Sequence, residues 1–496
     1  MSVPPSSQDA LLGGLLCASL AIYLTFLRER SQGRKFFRAC GRPAWLKTLG
    51  PHVFSVRTDW GPWGIDNPEP KHLLQTWEEI NRMFHVASAE QEPQGKFPLI
   101  SAYHSISVPY NTPNQDGHAV DISWSDRETI AEGAAPGLAM FSVIDGHGAN
   151  SSVADLLQGV LHPSIAYAIA QKSGEDNHPS PEEIADAVKS SIVALDKDIL
   201  AAPTQLLAKA PGVVSELPNP SPTLLQLLPL ETAGACAVTV IVDAVTDKLY
   251  VANIGDCRAV AGWQNPVTGE WRCDVLTDIG DMVAENPLES ARIRAEHPHE
   301  HPDDFLSASD LAPRVLGYLV PTRSFGDATA KRDEETMKWL EERYGVKYDE
   351  LKKPSVNPPY VSNEPEVIMR DLHPESGEAL RFVIAASDGL WDFISSEEAC
   401  LLVTAAMDPA RHVQTEDRPY PNGPLPGISE KTCKGTWSFE DDKLATHLVR
   451  NAVGRGDKWE TQRLFSMKDN GGRIFRDDAT AIVVTFGERC KGGNTA

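Results

Sequence analysis

Positive charge is what this chain is short of: 46 Lys and Arg stand against 69 Asp and Glu, a formal charge of −23. A generic nucleic-acid binder is excluded, because neutralising phosphates needs clustered Lys and Arg. Cysteine pairs are also missing. The eight cysteines contain no Cys-x-x-Cys, which speaks against a zinc ribbon, thioredoxin-like chemistry or a small disulfide scaffold and fits a reducing compartment. No internal repeat is apparent, so a solenoid is not expected. With 41% hydrophobic and 23% charged residues, the chain is neither disordered nor fibrous. Its 496 residues suit one large domain or two ordinary ones.

One long uncharged run is present. Residues 10–27 (ALLGGLLCASLAIYLTFL) are followed by Arg28, Arg30, Arg34, Lys35, Arg38 and Arg42. A secretory signal carries its basic residues before the apolar run, whereas here they follow it. The positive flank predicts a membrane anchor with the bulk of the protein on the cytoplasmic or matrix side. The Arg-rich, acid-poor stretch through Lys47 has the flavour of a mitochondrial presequence. The alternative is an amphipathic helix packed on the domain.

Short runs rich in β-branched residues predict strands at 138–144 (LAMFSVI), 235–242 (ACAVTVIV), 248–253 (KLYVAN), 381–385 (RFVIA) and 479–486 (ATAIVVTF). Helical patterns fall at 152–169, with an interruption or kink expected at Pro163, and at 181–200 and 443–453. A charged helix is expected at 334–344. Strand-rich blocks alternating irregularly with helices point to an α+β layered domain, not a βαβ parallel sheet. Insertions or loops are expected near 203–230, 331–365 and 408–440, where Pro and Gly gather.

Aspartates recur at the strand ends. Asp145 follows Ile144, Asp256 follows the strand ending at Asn253, Asp388 lies three residues past Ala385, and Asp477 and Asp478 precede the last strand. A strand end holds a carboxylate rigidly, and the adjacent Gly146, Gly255 and Gly389 allow close backbone approach. Such acids repel unless a cation lies between them, and an all-oxygen set suits Mg²⁺ or Mn²⁺. Singly, an Asp-Gly pair is an ordinary turn; four at strand ends make a metal site the better account. His147, two residues beyond Asp145, adds a group able to exchange a proton near neutral pH.

Together FSVIDGHG (141–148), NIGDCRAV (253–260), PTRSFGD (321–327), ASDGLWD (386–392) and RDDATAIVV (476–484) resemble, in order, the motifs of the metal-dependent protein phosphatase 2C family. Within that family the segment 315–331 (VLGYLVPTRSFGDATAK) and the NTPNQD stretch at 111–116 are similar to the pyruvate dehydrogenase phosphatase group. The resemblance implies a four-layer β-sandwich, two antiparallel sheets flanked by helices. It divides the chain into an N-terminal anchor and basic segment (1–50), an extension (51–102) and a catalytic domain (103–489).

Carried over by residue, the resemblance makes Asp145 the bridge between two Mg²⁺ or Mn²⁺ ions, joined on one by the Gly146 carbonyl. It gives Asp388 and Asp477 to the other ion, Asp256 to a third, weaker one, and the general-acid role to His147. Asp327 is expected to brace its loop. Where many members have Arg-x-x-x-Glu-Asp, this chain has Asn111, Gln115 and Asp116, on the phosphate side and the water-orienting side of the site. The implied reaction is hydrolysis of phosphoserine or phosphothreonine by metal-activated water, without a phosphoenzyme. The implied partner is a phosphoprotein, with the E1 subunit of pyruvate dehydrogenase leading if the protein is mitochondrial. Two other readings are a catalytically silent phosphatase-like module, with Gln115 as the first sign of decay, and a membrane-anchored structural protein using its acids for Ca²⁺.

Overall fold

The computed structural model describes residues 53–55, 71–73, 75–92, 97, 99–110, 114–123, 137–172, 178–208, 227–277, 280–307, 313–348, 355–407, 438–454, 457–466 and 477–487. The apolar run 10–27, Asn111 and most of the 408–440 insertion lie outside them.

The principal strands open with β1 (Ser88–Gln91), β2 (Ile100–Val108), β3 (Gly117–Ser123) and β4 (Leu138–Gly148). The middle of the chain gives β5 (Ala233–Asp243), β6 (Lys248–Ile254), β7 (Arg258–Gln264) and β8 (Trp271–Val275). Then come the two-residue β9 (Phe325–Gly326), β10 (Glu366–Asp371), β11 (Ala379–Ala386) and β12 (Ala479–Phe486). They form two six-stranded sheets, ordered β8–β7–β11–β12–β2–β1 and β10–β6–β5–β4–β3, with β9 set against β5. Within both sheets the pairing is antiparallel.

Helices cover both outer faces. On the first sheet lie α1 (Trp77–Ala87) and, from later in the chain, a cluster described below. On the second lie α2 (Ser152–Ala170) and α3 (Pro181–Ala208). Further along come α4 (Pro287–Glu296), α5 (Glu334–Tyr344), the single turn α6 (Asp388–Trp391) and α7 (Ser396–Met407). The chain then adds α8 (Leu444–Gly454) and α9 (Lys458–Ser466), which join α1 and α7 on the first sheet.

This layering explains why the strands read as unbroken apolar runs although the sheets are antiparallel. In β12, Ala481 and Val483 face the helices, while Ile482 and Val484 face the other sheet. In β11, Phe382 and Ile384 face outward and Val383 and Ala385 inward. Both faces of the pleat are dry, so the usual polar alternation disappears. Among the described residues Ser152–Ala170 is the one helix long and apolar enough to cross a bilayer, yet it packs nine buried side chains on the second sheet as a core helix.

Three expectations are amended. Strand β4 does not stop at Ile144 but runs on to Gly148, because residues 145–148 pair with residues 233–236 of β5; Asp145 is therefore in the strand, not after it. Helix α2 continues through Pro163 without interruption. Helix α1 and strand β1 also contribute to the sandwich, with Ile80 and Phe84 in its core, so a boundary at 103 falls inside β2.

Helix α4 carries a buried ionic knot that fixes the segment leading into β9. The Glu289 carboxylate accepts from Arg323 at 2.6 Å, from Arg292 at 2.9 Å and from the Thr322 hydroxyl at 2.7 Å. Burial alone would raise its pKa, but the two guanidinium groups overturn that and hold it at about 2. A depressed carboxylate stabilises the fold above its unfolded pKa, and that contribution fades as pH falls toward the folded value. Glu289→Gln is expected to lower unfolding stability by roughly 2–3 kcal/mol at neutral pH. The gap to wild type, followed by urea melts, should shrink as pH drops from about 4.5 toward about 2; a pH-independent gap would refute the assignment.

Candidate active site

An antiparallel sandwich returns its strand starts and ends to the same edge, and this gathers the acids. Ala386, closing β11, pairs with Ala481 near the start of β12, and Ile144 of β4 pairs with Gly117, which opens β3. Residues flanking these ends therefore meet: Asp145 from β4, Asp116 before β3, Asp388 after β11 and Asp477 before β12. Asp256 joins them at the crossover between β6 and β7, where the chain passes from one sheet to the other.

Asp145, Asp256 and Asp388 each offer a carboxylate oxygen, all within 4.8 Å of one another. Asp477, Gly146 and His147 line the same cleft. Such crowding is costly without a cation. Burial first, then the charge of neighbouring carboxylates, pushes Asp145 and Asp388 well above the usual range, with Asp256 raised chiefly by burial. The buried Asp145 Oδ2 and Asp388 Oδ1 have no hydrogen-bond donor. Solitary buried carboxylate oxygens in an all-oxygen set fit a hard divalent cation.

The neighbouring acids have other partners. Asp478, adjacent to Asp477 on extended chain, faces the opposite way and accepts the backbone N–H groups of Tyr110 at 2.7 Å and Gln115 at 2.9 Å. It pins the loop before β3 against β12. Asp116 accepts from the Ser387 hydroxyl at 2.8 Å, while burial and then Asp478 raise its pKa well above normal. The Gln115 amide donates to the Gly148 carbonyl at 3.1 Å, a bond that a glutamate carboxylate could not make. At Gly146 a Cβ would overlap the Gln115 carbonyl, so only glycine lets this loop lie against the strand that bears Asp145.

His147 Nε2 lies 2.8 Å from Asp327 Oδ2, across 180 residues of sequence. Burial pulls the imidazole pKa down, but attraction to Asp327 prevails and the net shift is upward. Asp327 does brace its own loop, through the Ser324 hydroxyl, yet it also holds the histidine. Asp196 of α3 steadies this loop by accepting the Gly326 N–H at 2.7 Å and pairing with Lys331 at 2.9 Å. Beneath the His147–Asp327 pair, a Cβ on Gly234 would collide with both side chains.

Two participants and one contact escaped the sequence reading. Asp392, one turn beyond Asp388, stands near Asp256, Asp281 and Asp477; partial removal from bulk water and then these charges raise its pKa to about 7, with Arg258 opposing. Its i, i+4 spacing from Asp388 was the available signal. Arg314 lines the cleft as the one Lys or Arg among its lining residues. No sequence signal marked it, nor the link between Asp327 and His147. Asn111 lies outside the described residues.

The protein phosphatase 2C family model matches residues 130–416, a stretch holding Asp145, His147, Asp256 and Asp388. The chain is 32% identical over 395 residues to a protein phosphatase 2C homolog of Schizosaccharomyces pombe, covering 79% of this chain and 81% of that protein. It is 34% identical over 266 residues to a mitochondrial pyruvate dehydrogenase (acetyl-transferring) phosphatase 2 of Homo sapiens, covering 51% of this chain and 48%, about half, of that relative. It is 27% identical over 425 residues to the corresponding mitochondrial phosphatase 1 of Saccharomyces cerevisiae, covering 78% of this chain and 69% of that one.

The His147–Asp327 contact gives a direct check. Asp327→Asn removes the attracting charge, so the His147 pKa, read by NMR of the imidazole carbons, is expected to fall. Gly234→Ala is expected to separate the pair and lower it likewise. An unchanged titration in both variants would show that the contact does not form in solution.

Proposed function

The chain belongs to the protein phosphatase 2C family and is a protein serine/threonine phosphatase, and we propose that it acts by direct attack of water on the phosphoester at the carboxylate cluster. The observation that carries this mechanism is the convergence of Asp145, Asp256 and Asp388 from three separate strand ends, with two of their buried oxygens lacking any donor. We place the catalytic domain from helix α1 through residue 489, starting ahead of the expected 103; Asp145, the Gly146 carbonyl, Asp388 and Asp477 would hold two magnesium or manganese ions, with Asp256 at a weaker third position. Magnesium or manganese bound there supplies positive charge to the phosphoryl oxygens and acidifies the attacking water.

The chain's own groups account for the rest. His147, kept protonated toward higher pH by Asp327, donates to the departing serine or threonine oxygen, an alkoxide that leaves poorly unassisted. Asp116 and the Gln115 loop border the water side. Arg314 supplies the cationic contact to the phosphoryl group that Asn111 lacks, since among the described residues it is the one Lys or Arg that lines the cleft. The Gln115 bond to Gly148 supports a working site over a decayed one, because it braces the strand bearing Asp145.

For the substrate we propose the phosphorylated E1 subunit of pyruvate dehydrogenase, and for the location the mitochondrion. The likeness to the human and yeast mitochondrial phosphatases supports both. Dephosphorylation of phospho-E1 by the full chain, and fractionation of the tagged protein, test them.

Asp145→Asn, Asp388→Asn and EDTA are each expected to reduce phosphoserine-peptide hydrolysis to background, and activity surviving all three would overturn the metal assignment. His147→Ala should slow phosphoserine peptides by about 10²–10⁴-fold and activated aryl phosphates far less; equal losses would remove the acid role. Arg314→Ala is expected to raise KM for phosphopeptides and weaken inhibition by inorganic phosphate, with kcat changed less.

A further inference from the structure

Cysteines scattered in the sequence are brought together by the fold. Cys273, half-buried, lies on the edge strand β8, and Cys400 lies on the buried face of α7. Their sulfurs are 3.0 Å apart, joining positions 127 residues distant. Cys273 Sγ also reaches the Ser396 carbonyl at 3.5 Å, and Cys400 Sγ the Ala261 carbonyl at 3.9 Å, so both are seated between β7, β8 and α7. A disulfide has its sulfurs about 2.05 Å apart. The two sulfurs need to close by only about 1 Å to reach that length.

We propose that Cys273 and Cys400 are a modification site, a dithiol that hydrogen peroxide converts to an intramolecular disulfide fastening β8 to α7. Cys273 is the attacking group. It is the more accessible of the two, and the hydrogen bond from Cys400 holds its pKa below the usual thiol value against the opposing effect of burial. The bond to Cys273, followed by burial, pushes Cys400 up, which makes it the resolving thiol.

In the first step the Cys273 thiolate attacks one peroxide oxygen: an S–O bond forms, the O–O bond breaks, and hydroxide leaves. Cys400 then attacks the sulfenic sulfur, the S–S bond forms, the S–O bond breaks, and the departing hydroxide takes the Cys400 proton as water. Two electrons pass from the thiols to the peroxide, giving one disulfide and two waters overall.

Neither cysteine lines the phosphatase cleft, and the closure moves elements already packed together. The disulfide therefore acts as a staple on the sandwich and leaves turnover as it was. Cys236 and Cys257 differ in kind: fully buried beside the carboxylates, with burial first holding both thiols protonated, they do not compete for oxidant.

The test treats the full chain with a few molar equivalents of hydrogen peroxide, alkylates the remaining thiols and maps non-reduced peptides by mass spectrometry. The expected result is a Cys273–Cys400 linked peptide lighter by two hydrogens, lost on dithiothreitol. It should come with a melting temperature raised by about 5 °C or more and unchanged phosphatase turnover. In Cys400→Ser the oxidised Cys273 should persist as a sulfenic acid captured by dimedone. Finding Cys273 and Cys400 both alkylated, Cys273 joined to a different cysteine, or turnover lost on oxidation would overturn the proposal. Should Cys400→Ser not fold, the wild-type peptide map decides alone.

Discussion

Like charges brought together in a partly dry place set the terms for the rest of this structure. Carboxylate oxygens of Asp145, Asp256 and Asp388 come within 4.8 Å of one another, with burial raising all three pKa values and neighbouring carboxylates adding to the rise at Asp145 and Asp388. Only a rigid frame holds carboxylates in that arrangement, because free side chains would turn outward to water. The frame is the pair of sheets, dry on both faces, whose antiparallel pairing brings distant strand ends to one edge. The same repulsion creates the demand for a cation, so scaffold and chemistry have a common origin.

Around that cluster, further acids do different work because their surroundings differ. Asp478 is satisfied by two backbone N–H groups and anchors a loop. Asp327 is satisfied by His147 and Ser324 and holds the imidazole at the cleft. Glu289, farther out, is satisfied by two arginines and a threonine and fixes the approach to Asp327. At the cleft, by contrast, Asp145 and Asp388 each keep a buried carboxylate oxygen with no donor.

Close backbone contact is the other requirement. At Gly146 and Gly234 a single added carbon would strike the Gln115 carbonyl or the His147–Asp327 pair. These positions tie the strand bearing Asp145, the loop before β3 and the histidine into one rigid unit. Cys273 and Cys400 illustrate the same packing away from the cleft, where an edge strand and a helix bring two sulfurs within 3.0 Å.

Local sequence determined much here. The β-branched runs specified β5, β6, β11 and β12 to within two residues at either end, since dry strands require apolar side chains at successive positions. The helix expected at 334–344 has those bounds, set by Asp333 as its N-cap and Gly345 in the left-handed conformation after its last turn. The strand-end aspartates were legible too, because each stands in its own short motif. Tertiary structure decided which of them meet. Asp477 and Asp478 are alike in sequence, and only the direction each faces on extended chain gives one to the cleft and the other to a loop. Asp327 finding His147 across 180 residues, Arg314 entering the cleft and Asp392 joining the acids depend on how separate segments pack. Sequence records what each residue can do chemically within reach of its neighbours, whereas distance through space is fixed by the registry of two sheets that no local pattern encodes.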